Sequence, residues 1–244
     1  CWLMRITQGA PWDEELRREL SCSLGHHARH VHRHLSTYFS PNTHLTGEAL
    51  GLLYIGTVLS DSSHARGWRE AGGAILEEWV ERHVRDDGTY FEQATQYLRY
   101  TAEIYLHYLR IAESTGLTVG TRVRTALNGL FDVLRSLTDT RGRIALIGDD
   151  DGLGVLPLDS RPPDDVRSLL LAGAVALDRP ELAFPGASPL MATALCGYAA
   201  TMRTVQCAVD PAWRDRAFPD GGLYVLRDGW HPTAAVAVVD AGVH

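Results

Sequence analysis

The sequence contains no lysine, so its 23 basic residues are all arginine. Guanidinium groups bind carboxylates and sulfates well, but a GC-rich genome also produces an arginine-only composition, and we favour that explanation. The formal net charge is −7, and no arginine-rich stripe offsets it. Because the phosphates of nucleic acids require a positive surface, this charge argues against nucleic acid as a partner.

Other familiar signals are missing as well. The four cysteines (Cys1, Cys22, Cys196 and Cys207) form no CxxC pair, which indicates neither a zinc site nor a disulfide framework, and we expect buried thiols. No apolar run reaches the ~18–20 residues of a membrane helix, so no membrane span is expected. The glycine-rich phosphate loop, the GxSxG elbow and the HExxH helix are absent, which argues against the enzyme classes that use them.

What remains is a chain of 244 residues, 45% hydrophobic and 22% charged, an ordinary globular composition. From about Asp13 to Ala200 its apolar residues recur at helical spacing. The predicted helices are Asp13–Leu35, His44–Leu59, Ser63–Val84, Thr95–Glu113, Gly120–Leu137, Asp164–Leu177 and Pro189–Ala200. The second is apolar throughout, which predicts a buried inner helix.

The pattern changes near the C-terminus. Phe218–Arg227 is typical of a turn followed by a strand, and Ala234–Asp240 is typical of a buried strand. Two strands form only a marginal sheet. We therefore expect a helical domain over residues 1–215 and the beginning of a β domain over residues 216–244. We also expect the chain to be a fragment, because it starts at Cys1 rather than Met and because a β domain of two strands would be incomplete.

Two short segments carry most of the chemical information. Ser40–Leu50 (SPNTHLTGEAL) and Asp87–Tyr100 (DGTYFEQATQYLRY) place polar groups at the start of apolar helical runs. His44, Tyr97 and Asp150 follow one another at intervals of 53 residues. One helical hairpin is about that long, so the three residues are expected at the same end of a ring of hairpins.

Together these segments resemble the helical domain of the heparinase II/III-like polysaccharide lyases. The resemblance implies a mainly α fold, an incomplete α/α toroid, followed by the first strands of an antiparallel β-sandwich. It covers about Tyr38 to His244. It also implies β-elimination on an acidic, uronate-containing polysaccharide, without a metal or organic cofactor. Because such polymers lie outside the cytoplasm, it implies a periplasmic or secreted protein.

The resemblance assigns roles residue by residue. His44 corresponds to a base or carboxylate-binding partner, Tyr97 to the general acid or to both acid and base, and Asn42 to the donor that neutralises the substrate carboxylate. The family's Asn stands immediately before its His, where this chain has Thr43. The resemblance further implies that substrate-binding residues are Thr43, Glu48, Glu92, Arg99 and Tyr100. The family's His-rich strand motif falls beyond His244, so the activity of this fragment alone is open.

The residues also allow simpler interpretations. Asn42 is a favoured helix N-cap, and Tyr97 and Tyr100 could be core aromatics with satisfied hydroxyls. A glycoside hydrolase on the same toroid would need two carboxylates, for which the candidates are Glu48, Glu92 and Asp150. A third alternative is a non-catalytic glycan-binding or exopolysaccharide-biosynthesis accessory protein.

Two further clusters favour structural interpretations. Five histidines on the first helix lack a carboxylate or cysteine to complete a metal site, which predicts a solvated face; they are His26, His27, His30, His32 and His34. The run Asp149–Gly152 lacks the ligand spacing of a calcium loop. We predict a turn there in which Asp side chains bind backbone amides.

Overall fold

Helices account for most of the chain as far as residue 206. The computed structural model describes residues 1, 4–5, 11–39, 41–152 and 154–242, so Ser40 of the first motif and the last two residues lie outside the described part. Within these ranges there are eight α-helices: α1 (Glu14–Arg33), α2 (Thr43–Val58), α3 (Ala65–His83), α4 (Thr95–Thr115), α5 (Thr121–Ser136), α6 (Arg167–Ala176), α7 (Leu190–Cys196) and α8 (Tyr198–Gln206). A 3₁₀ turn covers Pro180–Leu182.

The core lies around two inner helices. Ten of the sixteen residues of α2 are buried, as its apolar sequence predicted. Fourteen of the 21 residues of α4 are buried, including Tyr105 and Tyr108. Helices α3 and α5 pack against this pair and complete two helical hairpins. The connections at the N-terminal ends of α2 and α4 lie at the rim of the stack, where backbone and side-chain polar groups remain accessible.

The chain ends in a three-stranded antiparallel sheet in the order β1 (Arg216–Phe218), β2 (Leu223–Arg227) and β3 (Val236–Asp240). Side chains of β2 alternate strictly between buried and exposed. Phe218, Leu223 and Val225 belong to the same hydrophobic core as the helices. The sheet therefore packs directly on the helical part, and the division at residue 215 stays a prediction.

Asp87 connects the α3–α4 loop to this sheet. Its Oδ1 accepts hydrogen bonds from the backbone N–H and the hydroxyl of Thr89, at 3.0 and 2.6 Å. Its Oδ2 accepts from the backbone N–H groups of Asp220 and Gly221, at 2.8 and 3.1 Å. One carboxylate thus shapes the loop and holds the turn that precedes β2.

The first six predicted helices are confirmed to within three residues at each end. The seventh prediction, a single helix over Pro189–Ala200, is wrong. Gly197 has a φ of 89° and ends α7 before α8 begins, a conformation that glycine adopts without strain. Strand β1 was not predicted, because three residues carry no detectable alternation.

Two surface predictions have different outcomes. The four histidines of α1 and His34, the residue that caps its C-terminal end, are all exposed, as expected for a solvated face. No group of metal-binding side chains occurs in the part of the chain described. The prediction of buried thiols is wrong, since Cys22 and Cys207 are exposed and the other two cysteines are half-buried. Among the described helices, none combines the length and apolar character that crossing a membrane requires.

The contacts of Asp87 make its removal costly. Asp87→Ala leaves two turns without a charged acceptor, and we expect it to lower the free energy of unfolding by about 2–3 kcal/mol. The neighbouring Asp86 is the matched control, because its carboxylate is 91% exposed and forms only a surface ion pair with Arg122. Asp86→Ala should cost less than about 0.5 kcal/mol. Equal losses for the two variants in urea unfolding would contradict this view of Asp87.

Candidate functional site

Asn42 is the N-cap of α2 and also orients His44. Its Oδ1 accepts from the backbone N–H of His44 at 3.0 Å and lies 2.8 Å from the ring Nδ1. Because a carbonyl oxygen only accepts, Nδ1 must carry the ring proton in this arrangement. The other ring nitrogen, Nε2, then has a free lone pair in the neutral ring. His44 is exposed, so this lone pair is available to a ligand.

Glu92 joins the two sequence motifs. The Asn42 amide donates from Nδ2 to Glu92 Oε1 at 3.4 Å. Asn42 thus contacts the helix start on one side and the α3–α4 loop on the other. Burial, followed by the Glu92 charge, raises the pKa of the neighbouring Tyr90, so this phenol stays protonated. The structure therefore brings Asn42, His44 and Glu92 together at the rim.

Tyr97 lies in the first turn of α4, with its hydroxyl at the surface. The hydroxyl donates to Asp151 Oδ2 at 2.8 Å. This hydrogen bond is the main cause that raises the pKa of Tyr97 to about 12, with smaller contributions from burial and from the charges of Asp151, Asp149 and Glu92. The phenol consequently keeps its proton at neutral pH, and in this state Tyr97 is a proton donor rather than a base.

Thr95 fixes the chain at Ile147, four residues before Asp151. Its backbone N–H donates to the Ile147 carbonyl at 2.9 Å, and its hydroxyl accepts from the Ile147 N–H at 3.1 Å. These bonds hold the segment after α5 against the start of α4. The predicted aspartate turn is confirmed, because Asp150 Oδ1 accepts from the Gly152 N–H at 2.7 Å. The contact of Asp151 with Tyr97 was not predicted. The 53-residue spacing indicated Asp150 instead, but the side chain of Asp150 turns towards Gly152.

Glu48 and Thr43 are less accessible than expected for residues that meet a ligand. Both Glu48 oxygens accept from Ser36, one from its backbone N–H and one from its hydroxyl, each at 2.7 Å. This carboxylate fixes the segment that follows α1. Thr43 is only 5% exposed, whereas Asn42 is half-buried. Of the two residues that precede His44, Asn42 is the more accessible one.

Arg99 and Tyr100 lie below the rim. Arg99 Nη2 is 3.7 Å from Glu103 Oε2, and Glu103 Oε1 accepts from the Leu156 N–H at 2.8 Å. Burial raises the pKa of Glu103, while Arg99 and the backbone amides oppose that shift. Tyr100 is half-buried, and its hydroxyl lies 3.1 Å from the position that a Cβ at Gly47 would take. Gly47 therefore makes room for this phenol beside α2.

His83 is a further residue of the site that the sequence analysis did not identify. Its imidazole is 2% exposed, and Nε2 donates to the Pro41 carbonyl at 3.1 Å. It stacks on Phe91, with ring centroids 4.7 Å apart. Burial lowers the pKa of His83, so the ring remains neutral. It holds the backbone just before Asn42, and no local sequence signal distinguishes it from the other histidines.

Comparison with known proteins identifies the family and the fold that this chain resembles. Residues 13–121 match the family model described as the heparinase II/III N-terminus. No curated protein matches the chain. The matching structures include heparan sulfate lyase HepC from Pedobacter heparinus, at 18% identity and a TM-score of 0.60, covering 88% of this chain and 30% of that one.

Two heparinase III structures match similarly. The first is 23% identical to this chain, with a TM-score of 0.60, and the aligned region covers 83% of this chain and 29% of the heparinase chain. The second is 20% identical, with a TM-score of 0.63, and the aligned region covers 89% of this chain and 30% of the heparinase chain. At these identities the likeness establishes the fold, and the chain spans about 30% of the length of these relatives. The resemblance to the heparinase II/III-like family and the incomplete α/α toroid are thereby confirmed.

The Tyr97–Asp151 hydrogen bond leads to a prediction about the pKa of the Tyr97 hydroxyl. Asp151→Asn removes the charged acceptor, so the pKa of Tyr97 should fall from about 12 towards its ordinary value of 10.0. The phenol would then lose its proton at lower pH. Absorbance titration of tyrosinate measures this change, with Tyr97→Phe as the background. The control is Asp150→Asn, whose carboxylate binds Gly152; an equal shift in both variants would contradict the assignment.

Proposed function

We propose that the protein is a polysaccharide lyase that cleaves a uronate-containing glycan by β-elimination. The observation that carries this proposal is the set of hydrogen bonds made by Asn42, His44 and Tyr97. With Nδ1 bound to Asn42, the neutral His44 ring has a lone pair on Nε2, and the Asn42 amide donates to Glu92. The Tyr97 hydroxyl donates to Asp151 and supplies a transferable proton. Glu92 connects the two halves, because it binds Asn42 and its charge also acts on Tyr97.

The reaction requires these three groups. A base removes the C5 proton of the uronate, the bond between C4 and its glycosidic oxygen breaks, and a C4–C5 double bond forms. The leaving oxygen receives a proton from an acid. Because the carbanion at C5 is poorly stabilised beside a charged carboxylate, a hydrogen-bond donor must neutralise that carboxylate. No metal or organic cofactor takes part in this scheme.

The contacts of each residue support the role that we propose for it. His44 Nε2 accepts the C5 proton or binds the carboxylate, and Asn42 fixes the ring for that purpose. The Asn42 amide has two hydrogens, of which one binds Glu92, and the second neutralises the substrate carboxylate. Tyr97 donates to the leaving oxygen. The adjacent Asp151 carboxylate disfavours a phenolate, so the phenol regains its proton readily after the reaction.

The engaged carboxylates favour a lyase over a hydrolase. Hydrolysis needs two carboxyl groups facing the scissile bond. Glu48 is occupied by Ser36, Glu92 binds Asn42, and Asp150 closes its own turn. The alternative of a non-catalytic glycan-binding protein rests on Thr43, which stands where the family has Asn.

The substrate class comes from the relatives. The solved structures of similar fold are named as a heparan sulfate lyase and as heparinase III, so heparan sulfate is the first glycan to test, followed by alginate. We place the protein in the periplasm or outside the cell, where such polymers lie. An export signal in the full-length sequence is the observation that tests this location.

Activity should appear as an unsaturated product. The full-length protein incubated with heparan sulfate or alginate should generate the ultraviolet absorbance of a C4–C5 double bond. Tyr97→Phe removes one oxygen and should reduce turnover by ~10²–10⁴-fold without unfolding the protein. The matched control is Tyr198→Phe, since Tyr198 is 68% exposed and begins α8.

Three results would contradict this proposal. New reducing ends without the absorbance would indicate hydrolysis. Binding without new ends would indicate an accessory protein. Normal turnover in Tyr97→Phe would remove the general acid from the mechanism.

A further inference from the structure

Tyr38 and Phe39 form an exposed aromatic pair next to the candidate site. They are 82% and 93% exposed, the highest values among the large hydrophobic side chains in the described part of the chain. Their ring centroids lie 4.7 Å apart and the planes are nearly perpendicular, at 82°. Apolar surface of this kind is unfavourable in water, and two adjacent rings form a larger patch than a single exposed side chain.

The segment that carries the pair is anchored on both sides. Glu48 holds Ser36 through two hydrogen bonds of 2.7 Å. His83 holds the Pro41 carbonyl at 3.1 Å. Glu48 and His83 belong to α2 and α3, so two packed helices determine where the aromatic rings project.

Phe39 adopts a backbone conformation that bulky residues rarely take, with a φ of 67°. Such conformations cost free energy, and they are enriched at functional sites. The anchors at Ser36 and Pro41 hold the chain in this conformation.

The pair lies close to the residues that would meet the reacting sugar. Phe39 precedes Pro41 by two residues, a stretch of chain that spans at most about 7 Å. Asn42 and His44 follow directly. A polysaccharide held at His44 would extend past its reacting ring in both directions, and one of these directions would bring a neighbouring sugar towards this pair.

We propose that Tyr38 and Phe39 form an aromatic subsite that stacks on the C–H face of a sugar ring adjacent to the one cleaved. The inference rests on the proposed function and adds a binding position to it. The face of an aromatic ring is electron-rich, and a pyranose presents weakly polarised C–H groups on its apolar face. No charge is needed, so the subsite accepts sulfated and unsulfated sugars alike.

The size of the pair favours a sugar over a protein partner. Two aromatic side chains bury about 300–500 Å² in total. A stable protein interface buries about 800 Å² on each partner. The pair is too small for such an interface but matches the face of a single sugar ring.

Kinetics of the full-length protein test the subsite. Tyr38→Ala, Phe39→Ala and the double variant should raise KM for polymeric heparan sulfate or alginate about three- to tenfold, with kcat within about twofold of wild type. Tyr198→Ala, which removes a similarly exposed aromatic from α8, should leave KM unchanged. An unchanged KM in the double variant would overturn the inference. A large fall in the unfolding temperature would also overturn it, because it would show that another part of the protein covers the pair.

Affinity electrophoresis in gels that contain heparan sulfate or alginate separates this inference from the lyase proposal. Retardation of the wild-type protein that is lost in the double variant supports the subsite, even if no lyase activity is found. Retardation that is equal in both proteins overturns the subsite and leaves the lyase proposal intact. A wild-type protein that neither cleaves nor is retarded overturns both.

Discussion

The hydrogen bonds of the Asn42 side chain determine the geometry of the candidate site. Its oxygen caps α2 and binds the His44 ring, and its nitrogen binds Glu92 in the next hairpin. Because α2 is buried along most of its length, its first turn cannot shift without disturbing the core. The orientation of the His44 ring is therefore determined by the packing of the inner helix.

The rest of the rim follows the same physical rule. Each connecting segment is held by a polar side chain of a packed helix: Pro41 by His83, and Ile147 by Thr95. A single hydrogen bond of this kind contributes about 1 kcal/mol net, but leaving a buried partner unsatisfied costs more. The segments are thus fixed before any ligand arrives, which is the condition for effective general acid–base chemistry.

Sequence patterns predicted the helical frame because the inner helices are long and apolar. Helices α2 and α4 were located to within two residues at each end, whereas the break at Gly197 depends on one backbone angle and strand β1 on three residues. The prediction of buried thiols failed because it rested on the average burial of cysteine residues, which does not determine the exposure of an individual side chain. Such local features lack the periodicity from which longer elements are identified.

Only part of the candidate site was predictable, because only some of its residues stand in a local sequence pattern. Asn42 and Tyr97 stand in recognisable motifs. Asp151 and His83 act through contacts between distant segments, 54 and 42 residues from their partners. Equal spacing led to Asp150, because spacing along the chain does not reveal which way a side chain turns. Residues that position others leave no local pattern, so only the folded chain identifies them.

The central claim is that the Asn42 amide, and not Thr43, neutralises the substrate carboxylate. The most direct measurement compares the turnover of Asn42→Ala and Thr43→Ala in the full-length protein with the glycan that the wild type cleaves. We predict a loss of about 10²–10³-fold for Asn42→Ala, together with about 1 kcal/mol of stability from the lost cap, and little change in turnover for Thr43→Ala. The reverse ranking would contradict the account, since it would show that Thr43 meets the substrate and that Asn42 serves only as a helix cap.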